Sequence, residues 1–121
     1  MKHWGRISGR LNETVIEVIE RDTAGGTLCC ASGYGAKSQW FKNITTNPNV
    51  FVTLKNIEYE AMARILTEQE ATSMLVRYAS AHPKAIKAVA KLSGYEMDGT
   101  ESDVIEFSKV IKIIEFSLKK R

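Results

Sequence analysis

The sequence predicts an α+β domain, mainly β: an antiparallel sheet curled into a small barrel with helices packed outside. Three observations carry this reading. The apolar pattern runs β-β-α-β-β-α-α-β, with too few long crossovers for a doubly wound parallel sheet. Ile57–Ile65 alternates with a period of two, the mark of a strand with one wet side. The length, 121 residues with 44% hydrophobic, suits a single domain over 1–121 with one buried core.

The elements follow in order. Glu13–Glu20 is rich in β-branched residues and reads as a strand. Residues 21–26 end in Gly25-Gly26 and are turn chemistry, so Thr27–Ser32 pairs back as a hairpin. Gly33-Tyr34-Gly35 breaks that strand. Ser38 is placed to cap a short helix running to Thr46, which Asn47-Pro48 ends. Asn49–Lys55 sets Val50, Val52 and Leu54 on one face, and a tight turn near Asn56 leads into Ile57–Ile65. Thr67-Glu68-Gln69-Glu70 is a capping box, opening a helix with Ala71, Met74, Leu75 and Tyr78 at helical spacing. His82-Pro83 closes it and starts another, with Ile86, Val89, Ala90 and Leu92 inward and a stop at Gly94. Lys84, Lys87 and Lys91 mark that helix's solvent face. Asp98–Val110 holds a polar loop and a short helix, and Ile111–Leu118 is a closing strand.

Composition bounds function. Lys plus Arg is 17 against 14 for Asp plus Glu, a net charge of +3 that is too small to argue for nucleic acid. Nor are basic residues interleaved with aromatics along a strand. No apolar stretch approaches a membrane span. Met1–Trp4 runs straight into a basic turn without a signal-peptide core, so a cytoplasmic setting is expected. Cys29 and Cys30 are strand neighbours that point to opposite faces; they read as buried thiols, not a disulfide, and make no zinc site. His3 and His82 have no carboxylate or nucleophile at a diagnostic spacing and read as ordinary residues.

Two patterns point to a ligand. Gly5-Arg6-Ile7-Ser8-Gly9-Arg10 offers two guanidinium groups, a hydroxyl and main-chain N–H groups to anionic oxygens. Ala31–Asn43 runs strand, glycine loop, Lys37, Ser38 cap, then an aromatic helix, whose first N–H groups carry partial positive charge. Each alone reads better as an ordinary solvated turn. Joined by one hairpin, they suit a single long ligand, part anionic and part flat, as a flavin-type cofactor is. Phosphate would lie on Arg6, Arg10 and Lys37, the ring against strand backbone near Thr14 and Val15, and an edge of Trp40 beside that ring. Tyr34, between two glycines, can donate from its hydroxyl and is the candidate proton donor, with solvent as the alternative.

The segments GRISGR and ASGYGAKSQWFKNITTNPNVFV resemble the deazaflavin-dependent nitroreductase family. The similarity covers nearly the whole chain. It implies a split β-barrel of the FMN-binding type, coenzyme F420 as cofactor, and hydride transfer from the reduced deazaflavin to an unsaturated or nitro-containing small molecule. It also implies phosphate contacts at Arg6, Ser8, Gly9, Arg10 and Lys37, next to the Ser38 cap, and ring contacts near Thr14, Val15, Ser32 and Gly33. A homodimer paired through the sheets is expected. FMN in the same barrel, or a non-enzymatic ligand-binding protein on this fold, are the alternatives.

Overall fold

The computed structural model describes residues 1–14, 16, 18–22, 25–32, 39–92 and 94–119. Among these, seven strands and four helices occur: β1 (Lys2–Trp4), β2 (Leu11–Glu13), β3 (Val18–Asp22), β4 (Thr27–Ser32), α1 (Gln39–Thr46), β5 (Asn49–Leu54), β6 (Ile57–Ile65), α2 (Glu68–Ala81), α3 (Pro83–Leu92), α4 (Glu101–Ser108) and β7 (Lys112–Leu118). The strands form one sheet in the order β2-β1-β5-β6-β7-β4-β3, with every pairing antiparallel. This is the mainly β α+β architecture expected, and it agrees with a split barrel.

Strand alternation splits the core in two. Leu28, Cys30, Val50, Val52, Ala61, Ile114 and Phe116 turn to one face, where Phe41 and Ile44 of α1 cover them. Ile19, Cys29 and Ile113 turn to the other, beneath Ala71, Met74 and Leu75 of α2, Ile86 and Val89 of α3, and Val104 and Phe107 of α4. Cys29 and Cys30 therefore lie on opposite sides of the sheet, both free and buried.

The β5–β6 connection is a two-residue turn in which Lys55 and Asn56 both have positive φ, 49° and 66°. That sign at both positions defines the type I′ turn that matches strand twist, and asparagine tolerates it. The α2 capping box is formed in both directions: Thr67 Oγ1 accepts from the Glu70 N–H at 3.2 Å, and Glu70 Oε1 accepts from the Thr67 N–H at 3.0 Å.

Two expectations need correction. The β-branched run is not one strand over Glu13–Glu20. Leu11–Glu13 pairs with β1 near one edge of the sheet, and Val18–Asp22 pairs with β4 at the other. Side-chain branching favours extended backbone but does not say which neighbour it joins. The N-terminal residues are also a strand: Lys2, His3 and Trp4 lie opposite Glu13, Asn12 and Leu11, and Lys2 reaches Phe51 of β5.

Candidate functional site

The basic turn closes the β1–β2 hairpin. Gly5 donates its N–H to the Arg10 carbonyl at 2.8 Å, and Gly9, at φ 71°, donates to the Gly5 carbonyl at 2.9 Å. The Arg10 N–H goes to Ser8 Oγ at 3.2 Å. A side chain at Gly5 would meet Ser8 Oγ at 2.7 Å, so the Ser8 hydroxyl that accepts from Arg10 would have to move. The main-chain donors of Gly5, Arg6, Gly9 and Arg10 are thus used inside the molecule. Besides the Ile7 and Ser8 amides, what the turn can offer a ligand is guanidinium and hydroxyl, with fewer open amides than the sequence suggested.

The turn docks on the start of α1. Arg6 donates from its main-chain N to Asn43 Oδ1 at 3.2 Å, from Nη1 to the same oxygen at 2.9 Å, and from Nη2 to Gln39 Oε1 at 3.0 Å. Asn43 is 5% exposed. Its amide nitrogen lies 3.0 Å from His3 Nδ1, and His3 Nε2 lies 3.0 Å from Thr14 Oγ1. The Thr14 carbonyl accepts from the Met1 ammonium at 2.8 Å. Arg6 and Thr14, 8 residues apart in sequence, are therefore joined through a buried polar chain.

Of the predicted residues, Arg6, Ser8, Gly9 and Arg10 share this corner, and Thr14 is tied to it. Trp40 is half-buried on α1, one residue after Gln39, with its ring edge-on to Phe41 at 6.5 Å between centroids. Ser32 is fully buried at the end of β4, opposite Lys112 of β7. Val15, Gly33, Tyr34, Lys37 and Ser38 lie outside the described residues.

Sequence reasoning passed over His3 and Asn43. His3 is 3% exposed, the most buried of the ionisable side chains along β1 and its turn. Burial, and then the Met1 ammonium, holds its imidazole below the ordinary value. A signal for Asn43 was available: it follows Trp40 by three residues and precedes Ile44, which puts an amide on the helix's apolar face. A buried amide needs partners, and that demand points to a polar network.

A concavity of about 380 Å³ lies away from this corner, on the α2 side of the sheet. Its lining charges neutralise one another: Arg64 pairs with Glu70 at 2.9 Å and Glu115 at 3.4 Å, and Arg77 with Glu20 at 3.3 Å. Glu70, held by Arg64 and then by the Thr67 N–H, is pushed down to about 2. Among the described residues no group of three or more His, Cys, Asp or Glu side chains could hold a metal.

A mainly β, all-antiparallel sheet with Arg6 of the β1–β2 turn held on α1 agrees with the class of split-barrel oxidoreductases that work through a flavin-type cofactor. A family model described as F420H(2)-dependent quinone reductase matches residues 1–91. The chain belongs to that family, whose cofactor is coenzyme F420. No curated protein matches it. The matched span takes in the whole candidate corner and ends inside α3.

Proposed function

We propose that this chain is a reductase that passes electrons from reduced F420 to quinone-type acceptors, with other unsaturated or nitro-containing small molecules in its wider range. The observation that carries the reading is Arg6, fixed on Gln39 and Asn43 of α1, together with Arg10 on the same turn, whose guanidinium has no partner among the described residues. This donor set suits an anionic tail. Arg6 and Arg10 would hold its oxygens by charge-assisted hydrogen bonds, and the Ser8 hydroxyl, which already accepts from Arg10 N–H, keeps a proton to donate. Arg6 arrives pre-oriented by Asn43 and Gln39, which lowers the ordering cost of binding.

When bound, reduced F420 supplies a hydride to the acceptor. The chain's part is to bind, orient and shield. Thr14 and the half-buried Trp40 would border the ring; Val15, Ser32 and Gly33 are the further ring contacts, and Lys37 and Ser38 the further anion contacts, that the family resemblance implies. The Tyr34 hydroxyl, or solvent, would protonate the reduced acceptor. No side chain need act as a nucleophile. Cytoplasmic setting and pairing of two copies through the sheet complete the proposal; Met62, 46% exposed on the wet side of β6, is apolar surface such a partner would cover.

The test is anaerobic mixing of the protein with reduced F420 and a soluble quinone, following the return of oxidised deazaflavin absorbance. Turnover with the quinone supports the reading. Tight F420 binding with no quinone-dependent oxidation refutes the acceptor assignment, and no F420 binding refutes the whole.

A further inference from the structure

The buried chain of hydrogen bonds behind Arg6 has a forced direction. The Arg6 main-chain N–H and its guanidinium Nη1 can only donate, and both point at Asn43 Oδ1, at 3.2 and 2.9 Å. The other end of the amide is then Nδ2, which also can only donate. It lies 3.0 Å from His3 Nδ1, so that nitrogen must be the acceptor. His3 is therefore neutral with its proton on Nε2, and Nε2–H donates to Thr14 Oγ1 at 3.0 Å. The Thr14 hydroxyl keeps its own proton for another acceptor.

We infer that Asn43 and His3 form a positioning relay that sets the Arg6 guanidinium and the Thr14 hydroxyl for the cofactor, and that a proton on His3 breaks it. The second half follows from the first. A protonated His3 would set an Nδ1–H against the Asn43 amide donors. Asn43 could relieve this by turning over, but its NH2 would then face the Arg6 guanidinium, donor against donor. Either way one buried contact fails, and the one that can swing into solvent is the exposed Arg6 side chain. The relay's use in binding rests on the F420 reading above; its geometry does not.

The elements packed against β1 are β2, β5 and α1. Of these β2 carries Glu13, α1 carries Lys42, and β5 carries no ionisable residue. With Lys2, Arg6, Arg10 and the Met1 ammonium, the described charges around His3 are mostly positive; Glu13 of β2 and Glu58, which pairs with Lys2, are the carboxylates. Lys2 lies opposite Glu13 in the strand pairing but puts its ammonium on Glu58 at 2.7 Å. Burial first, and then the Met1 ammonium, oppose a proton on His3 and lower its affinity for one. The sign for folding follows. The unfolded chain protonates His3 near pH ~6.5 while the native chain resists, so stability is full above about that pH and falls as pH drops through the window below it.

The test uses the full chain without ligand first. Nitrogen NMR of labelled histidine and arginine should show His3 with its proton on Nε2, and Arg6 guanidinium signals that move as His3 titrates on acidification. Asn43→Leu should uncouple the two. His3→Asn puts an amide oxygen near the Nδ1 position but cannot titrate, so it should remove the acid response of Arg6. With F420 as probe, the wild type should bind roughly tenfold more weakly or worse once His3 is protonated, and His3→Asn should show a flat profile. A proton found on His3 Nδ1, Arg6 signals indifferent to His3, or an unchanged pH profile in His3→Asn would each overturn the relay. Should the NMR coupling hold while the wild type binds no F420 at any pH, the cofactor reading falls and the relay stands.

Discussion

Replacing Arg10 by alanine separates binding from folding. Arg6 and Arg10 belong to one turn, yet their surroundings differ. Among the described residues the hydrogen bonds of Arg10 are main-chain ones: its N–H to Ser8 Oγ, and its carbonyl to Gly5 N–H and Asn12 Nδ2. Alanine keeps all of them, so the expected change in folding free energy is within ~0.5 kcal/mol. A guanidinium bond to an anionic oxygen contributes about 1.5–3 kcal/mol, which is a roughly 10- to 150-fold rise in Kd for F420. Arg6→Ala should behave differently. It loses the side-chain bonds to Asn43 and Gln39 while keeping the main-chain one, so ~1–2 kcal/mol of stability goes with the affinity. Fluorescence titration of F420 against each variant, beside urea unfolding, reads both quantities. The exposed charge is also screened by salt, so the Arg10 effect should shrink as ionic strength rises past ~0.1 M, where the Debye length is about 10 Å. A folded Arg10→Ala protein that binds F420 as tightly as the wild type would refute the anion grip at this turn.

Two further outcomes are expected. Thr67→Ala removes the hydroxyl that accepts from Glu70 N–H and should cost ~1 kcal/mol, lowering Tm by roughly 3–6 °C in a thermal melt. Burial pushes the Cys29 and Cys30 thiols up to about 11 and about 12, so a thiol-selective reagent at about pH 8 should leave both unmodified until urea unfolds the chain; fast labelling of the native protein would contradict this packing.

What could be read from the sequence was local. The β5–β6 hairpin was legible because Ile57–Ile65 alternates cleanly and Asn56 tolerates positive φ; the structure sets Leu54 opposite Ile57 across that turn. The α2 start was legible because a capping box is four residues long and self-contained. The two cysteines were legible because strand neighbours must face apart. β1 was not: three residues are too few to show a period, and only His3 among them is buried. The break between β2 and β3 was not either, because the two segments part toward neighbours far along the chain. The same holds at the site. The glycine-spaced arginines could be seen, but Arg6 is held by a residue 37 positions away, and no spacing rule connects them. Hydrogen bonds with Asn43 turned a basic turn into an oriented cation, and that depends on the hairpin and α1 sharing a corner.

That corner also depends on a segment the family match does not reach. β7, beyond residue 91, lies between β6 and β4 in the middle of the sheet. Its Ile114 and Phe116 are fully buried in the same cluster as Met1 of the hairpin end and Phe41 and Ile44 of α1. Its Lys112 lies opposite Ser32, so it fixes the end of β4 from which the chain leaves toward α1. The polar network can hold Arg6 only if β1 and α1 rest on a common apolar floor, because hydrogen bonds orient groups that packing has already brought close. The residues proposed to bind the cofactor lie in the first 43 positions, but β7 supplies part of the floor beneath the described ones and the rail along β4. On the proposed reading, recognition of the cofactor belongs to the first third of the chain, and the geometry that would make it possible belongs to the whole sheet.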